Sequence, residues 1–286
     1  MRVLPRMRFP VPLFLSAAVA AVSGLRAAGP LPLQEGEFLT FRVSWAIVRG
    51  AGEITIGAQA DPAASEPRLI VTTTTATRKF ARLLLPFDAK AESIFDLKTG
   101  KLVSLQESSA TRDKRESHTV DFDHLARTAR YEDTGRKKPA RALTFPDGDP
   151  VDLIMALLQT RSWNLKPGEK RDSLVLFNDD FYELTIHFAR DEKLTTSFGT
   201  FDTIVLEPRM DKTAPRGIFK RGSTVRVWIS QDEHRMPVRF EVEFNIGTGT
   251  ATLVSYVRPP ARKPTATETS VKAGTTTKPD AKDSRP

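Results

Sequence analysis

Between residues 36 and 258 the dominant period of apolar and polar side chains is two. Leu39, Phe41, Val43 and Trp45 alternate with Phe38, Thr40, Arg42 and Ser44. Tyr182, Leu184, Ile186 and Phe188 alternate with Glu183, Thr185 and His187, and Val238, Phe240, Val242 and Phe244 with Arg239, Glu241 and Glu243. Val225, Val227 and Ile229 repeat the pattern against Arg226, Trp228 and Ser230. One-sided alternation marks antiparallel sheet with one face in a core. Turn signals separate the runs at Arg49-Gly50, Asp61-Pro62, Lys98-Thr99-Gly100, Ser197-Phe198-Gly199 and Gln231–Pro237. The spacing predicts about a dozen strands in a meander. The expected fold is mainly β: a large antiparallel meander forming a curved sheet or open barrel packed around one central helix.

That helix is predicted over about 149–163, where Val151 to Trp163 is apolar nearly all round, as in a buried helix. Asp149 is placed to cap it, Pro150 suits its first position, and Arg161 meets its negative end. A second apolar cluster, Phe80 with Leu83 to Leu85 before Pro86, is a candidate helical turn and reads as a loop anchored on the core, with a groove lining as the alternative.

The two ends of the chain differ from this body. Arg2, Arg6 and Arg8 precede the apolar run Val11 to Val22, and small residues follow at Ser23, Gly24, Ala27 and Ala28. This is the order of a secretory signal, and residues 1–28 are expected to be removed on export to the periplasm. An uncleaved anchor is the alternative; after cleavage no stable transmembrane segment is expected. Residues 259–286 are Pro, Thr, Lys and Ala with little apolar bulk and read as a disordered tail. One β-rich domain, 29–258, lies between.

The net charge of +8 suggests an anionic partner, but the ends carry most of it. Residues 29–258 hold 33 basic and 32 acidic side chains, so no basic fold surface for nucleic acid is indicated. The chain has no cysteine. That excludes lipidation through a cysteine at the mature N-terminus, so the protein is not expected to be a lipoprotein, and it removes thiolate chemistry altogether.

The order of motifs resembles a bacterial envelope family, DUF3108. Gly36-Glu37-Phe38-Leu39-Thr40-Phe41 leads to Trp45 and then Gly50-Ala51-Gly52-Glu53. Phe95-Asp96 precedes Thr99-Gly100-Lys101-Leu102, and Asp149-Pro150-Val151-Asp152-Leu153 opens a helix ending in Arg161. Gly199-Thr200-Phe201-Asp202-Thr203 leads to Glu207-Pro208; Gly217-Ile218-Phe219 comes before Val227-Trp228-Ile229-Ser230 and Met236-Pro237-Val238. The resemblance spans roughly 35–258 and implies a periplasmic β-rich domain; it supplies no catalytic or binding residues.

Candidate chemistry is sparse. His118, His124, His187 and His234 have no partner at metal-ligand spacing and read as solvated. Asp232-Glu233-His234 reads as a polar hairpin tip. No nucleophile elbow or phosphate-cradling loop is present, and no metal or cofactor is called for. Arg226, Arg239, Glu241 and Glu243 share one face of adjacent strands as cross-strand charge pairs. Trp228 lies on that otherwise polar face, as a ligand-stacking platform or, preferably, part of a second core. Trp45 lies on the apolar face and reads as core. The ligand-binding candidates are Trp45, Leu157 and Trp228. The functional expectation is a non-catalytic binding or carrier module for an apolar or amphipathic envelope molecule, with lipid or an envelope protein as partner. An exported hydrolase assembled from distant strands, and an assembly partner using an edge strand, are the alternatives. A deep cleft lined with paired carboxylates or a His–carboxylate pair would favour the hydrolase; an apolar concavity without them would favour the binding module.

Overall fold

The computed structural model describes residues 31–136, 139–245 and 247–259. The expected signal segment and all but the first residue of the expected tail lie outside them. Alternating residues build strands β1 (Phe38–Trp45), β2 (Val48–Ala60) and β3 (Arg68–Thr77), followed by a short helix, α1 (Lys79–Leu84). Strands β4 (Phe87–Asp96), β5 (Leu102–Thr111), β6 (Arg115–Asp123), β7 (Thr128–Glu132) and β8 (Arg141–Thr144) continue the meander. Helix α2 (Leu153–Leu158) comes next. Then β9 (Lys170–Phe177), β10 (Asp180–Thr195), β11 (Thr200–Arg209), β12 (Thr224–Ser230), β13 (Pro237–Phe244) and β14 (Gly247–Val257) complete the sheet.

All fourteen strands form one antiparallel sheet, in the order β8 to β1, then β14 to β9. Two meandering arms therefore meet at a central seam, where β14 lies along β1 with Phe38 opposite Val257 and Val43 opposite Ala251. The sheet is not closed. Its two edge strands are nevertheless drawn together: Arg141 of β8 pairs with Asp179 in the β9–β10 turn, and the Phe145 and Phe181 rings lie 5.5 Å apart. Val151 bridges β9 opposite Val175, giving its N–H to Leu174 O at 3.0 Å and receiving the Leu176 N–H at 2.9 Å.

Helix α2 fills the space between the arms. Met155 and Leu158 join Leu39, Phe41, Ile56, Leu69, Phe95, Leu105 and Val120 in the main core. Leu157 belongs to a second cluster with Trp163, Ile186, Ile204, Leu206, Val227 and Ile229. The helix is shorter than the expected 149–163 span: α2 proper has six residues and continues as a 3-10 turn, Gln159–Ser162. Its cap is Asp152, whose Oδ1 accepts the Met155 N–H at 2.8 Å, and not Asp149, which pairs with Lys101 at 3.2 Å. The bridge to β9 explains the shift. It holds Val151 extended, so the helix cannot begin until the next residue.

Arg161 does more than meet the helix end. Its guanidinium is buried against Glu37, with Nη2 2.9 Å from Oε1, and it donates to the carbonyls of Pro32, His234 and Arg235. The turn after α2 is thereby fastened to the segment before β1 and to the β12–β13 turn. Among the described residues no helix is long and apolar enough to cross a membrane.

Candidate functional site

The concave face changes character along the strands. One end of it is core: Leu69 and Val71 on β3, Phe95 on β4, Leu105 on β5, Val120 on β6. Two residues further along the same faces stand Thr73, Ser93, Glu107 and His118, because side chains two apart share a face. Beyond them come Thr75, Ala91, Ala89 and Ser109. Thr73, Thr75, Ala89, Ala91, Glu107, Ser109 and His118, with Phe87, Tyr131, Arg141, Phe177 and Ile154 of α2, line a cleft of about 920 Å3, while Ser93 is buried. By contrast, the apolar cavity beside the helix, walled by Leu153, Val175, Leu184 and Phe219, measures only about 20 Å3, room for about one water. The apolar concavity expected around the helix is filled; the open space is the amphipathic cleft next to it.

At the boundary between core and cleft sits a polar cluster. His118 is opposite Glu107 on paired strands; its Nε2 lies 3.0 Å from Glu107 Oε2 but out of line, and makes no hydrogen bond. The imidazole stacks on Tyr131 at 5.2 Å. Ser93 Oγ donates to Asp152 Oδ2 at 2.5 Å. Burial pushes the Asp152 carboxyl above its ordinary range, and the Glu107 carboxylate adds to the rise, against the hydrogen bonds that stabilise its ionised form. Asp179 is held below the usual range, chiefly by its hydrogen bond with Arg141. Histidine is thus paired with one carboxylate and serine with another, and none of the cleft hydroxyls of Ser108, Ser109 and Ser117 bonds to the imidazole. His118, expected in solvent, is buried. Among the described residues no group of three potential metal ligands assembles.

The three sequence candidates do not converge. Trp45, expected in the core, is 37 % exposed: β1 runs past the core there, and the ring lies over Gly249, where an added Cβ would meet it at 3.2 Å. Leu157 is in the second core cluster. Trp228, 2 % exposed, packs with Leu194, Val205 and Val238 in a third cluster, under the Arg239 guanidinium at 5.5 Å. It is a second core, as the preferred reading had it. The charge pairs are also present, with Arg226 bonded to Glu207, Glu241 and Glu243. The sequence reading missed the cleft residues Glu107 and His118 and the buried Ser93–Asp152 pair beside them. Their signal was an alternation that stops halfway: Leu69 and Val71 followed by Thr73 and Thr75, Leu105 by Glu107, Val120 preceded by His118.

Comparison with solved structures places the fold among β-barrel-like proteins. A Brucella abortus protein of domain family DUF1849, described as beta-barrel-like, superposes with a TM-score of 0.50 at 8% identity, covering 78% of this chain and 97% of its own. A proposed exported protein with YmcC-like fold from Bacteroides fragilis gives 0.33 at 13% identity, over 81% of this chain and all of its own. A proposed lipoprotein from Parabacteroides distasonis gives 0.31 at 12%, over 79% of this chain and 97% of its own. Comparison with curated proteins finds no match. The family model for DUF3108, a protein family of unknown function, matches residues 40–254, and the chain belongs to that family.

Proposed function

We propose that this chain is an exported periplasmic binding or carrier module that holds one amphipathic envelope molecule, a lipid in the first instance, in the cleft between the β3–β8 arm and α2. The observation that carries this reading is the mixed wall of the cleft. Phe87, Ala89, Ala91, Ile154 and Phe177 offer apolar contact, while Thr73, Thr75, Glu107, His118 and Arg141 offer polar partners. Binding sites of this size pair an apolar lining with a few placed polar groups. The secretory pattern of residues 1–28 supports a periplasmic address.

A second reading has its own observation. The His118–Glu107 contact in a large cleft is what an exported hydrolase would place there. It lacks a hydroxyl aligned on the imidazole, so binding is the better-supported function. The edge-strand reading is weaker, because Val151 already occupies β9 at Leu174 and Leu176.

The test is native mass spectrometry of protein purified from a bacterial envelope fraction. The expected result is one co-purified lipid per chain, lost when Ala91→Trp fills the cleft without changing the melting temperature. A lipid-free parent that also fails to bind an apolar dye saturably would overturn the carrier reading. Ester hydrolysis by the parent, abolished in His118→Ala, would install the hydrolase in its place.

A further inference from the structure

Helix α1 buries none of its residues. Phe80, Leu83, Leu84 and Leu85 are 62, 71, 65 and 64 % exposed, so this segment is not the core-anchored loop that its apolar composition predicts. It also has neighbours. In a meander every second turn lies at the same end of the sheet, which brings the β1–β2, β3–β4 and β5–β6 turns together. Arg78 gives its N–H to Ala51 O at 2.8 Å, and a Cβ on Gly50 would meet Lys79 Nζ at 3.7 Å, so α1 adjoins the β1–β2 hairpin. At that hairpin's tip Ile47 is 95 % exposed. On the other side Arg112 of the β5–β6 turn donates to Leu83 O at 3.0 Å. The three turns with the strand ends beside them (46–50, 78–88 and 112–115) hold seven basic residues against Asp88 and Asp113. Arg82 pairs with Asp88, Arg78 with Glu53 and Lys114 with Glu116; Arg49, Lys79, Arg112 and Arg115 have no ion pair among the described residues.

From this juxtaposition we infer that the end of the sheet carrying α1 docks on the surface of an anionic phospholipid bilayer. A projecting apolar tip ringed by basic side chains is the pattern of an interfacial anchor: the apolar residues enter the acyl boundary and the cations sit at the headgroups. A protein partner would need a complementary groove lined with acid. The patch also adjoins the cleft, since Phe87 and Lys114, in or beside these turns, line it. A lipid leaving the cleft there would enter a bilayer without crossing water. The inference deepens the carrier reading and rests on it for its purpose, while the docking itself is measured independently of cargo.

The test is sedimentation with vesicles, using protein purified from the envelope fraction. Saturable binding is expected to vesicles rich in phosphatidylglycerol, weakening with added salt, and little to pure phosphatidylcholine. Replacing Leu83 and Leu84 together by Glu should weaken binding at least about tenfold, with an unchanged circular dichroism spectrum. Lys79→Ala and Arg115→Ala should each cost about fivefold. No binding by the parent overturns the inference. So does undiminished binding by the double variant, which would assign the attraction to the basic tail, residues 259–286. A dimer abolished by the double variant, with no vesicle binding, would assign the patch to a second copy of the chain. Cargo is read in the same samples. Lipid retained by a variant that no longer sediments separates docking from carriage, and a parent that sediments but carries no lipid retires the carrier reading alone.

Discussion

Removing Arg161 is the sharpest perturbation available in this structure. All five of its N–H donors are used. Nη1 and Nη2 face the Glu37 carboxylate at 3.4 and 2.9 Å, Nη1 also reaches Pro32 O at 2.7 Å, Nη2 reaches His234 O at 3.0 Å, and Nε reaches Arg235 O at 3.1 Å. Both partners are nearly out of solvent, Arg161 at 9 % and Glu37 at 3 % side-chain exposure. Arg161→Met would leave a buried carboxylate facing the Tyr256 hydroxyl and Gln34 N–H alone, and three carbonyls without donors. Breaking a buried pair on one side costs about 3–5 kcal/mol. At about 2–4 °C per kcal/mol for a domain of this size, the melting temperature should fall by about 6–20 °C. Differential scanning calorimetry of Arg161→Met, Glu37→Leu and the double variant gives the coupling. The double variant should recover part of the loss, because no uncompensated charge remains. If Arg161→Met melts within a degree or two of the parent, or the two single losses simply add, Arg161 and Glu37 are not the fastening described.

Two further outcomes follow from the same geometry. Burial, and then the hydrogen bond to Glu37, push the Tyr256 phenol up to about 12; the unfolded chain ionises its tyrosines near pH ~10, so this stabilisation is complete below ~10 and lost as pH rises towards 12, and a pH series of chemical denaturation should show a steeper alkaline loss in the parent than in Tyr256→Phe. Leu158→Asp puts a charge at a fully buried position of α2 and should cost several kcal/mol by denaturant titration; a parent-like midpoint would mean that α2 does not hold the two arms together.

The strands are legible wherever one face carries apolar side chains throughout, as in β12 and β13. The cleft is not, because one face of the strands that build it meets different surroundings along its length: the Leu69–Val71 half of β3 faces core and the Thr73–Thr75 half faces open space, so the apolar–polar alternation stops halfway. The cap of α2 failed for a long-range reason. Asp149-Pro150 and Asp152 both offer local start signals, and only the pairing of Val151 with β9, distant in sequence, chooses between them. Trp45 shows a third limit: alternation assigns it a face, but it does not say how far along β1 the core extends.

The seam between β1 and β14 has a consequence for how the molecule is made. β1 is the first strand of the sheet to leave the ribosome or a translocation channel, and its partner on one side is the last. Until β14 arrives, the Phe38–Trp45 edge stands bare with its row of unpaired amides, an invitation to pair with another chain. Pairings between strands so far apart in sequence are also slow to form. A folding chain of this kind is therefore expected to keep an open edge, at what will become the middle of the sheet, until its last strand is in place.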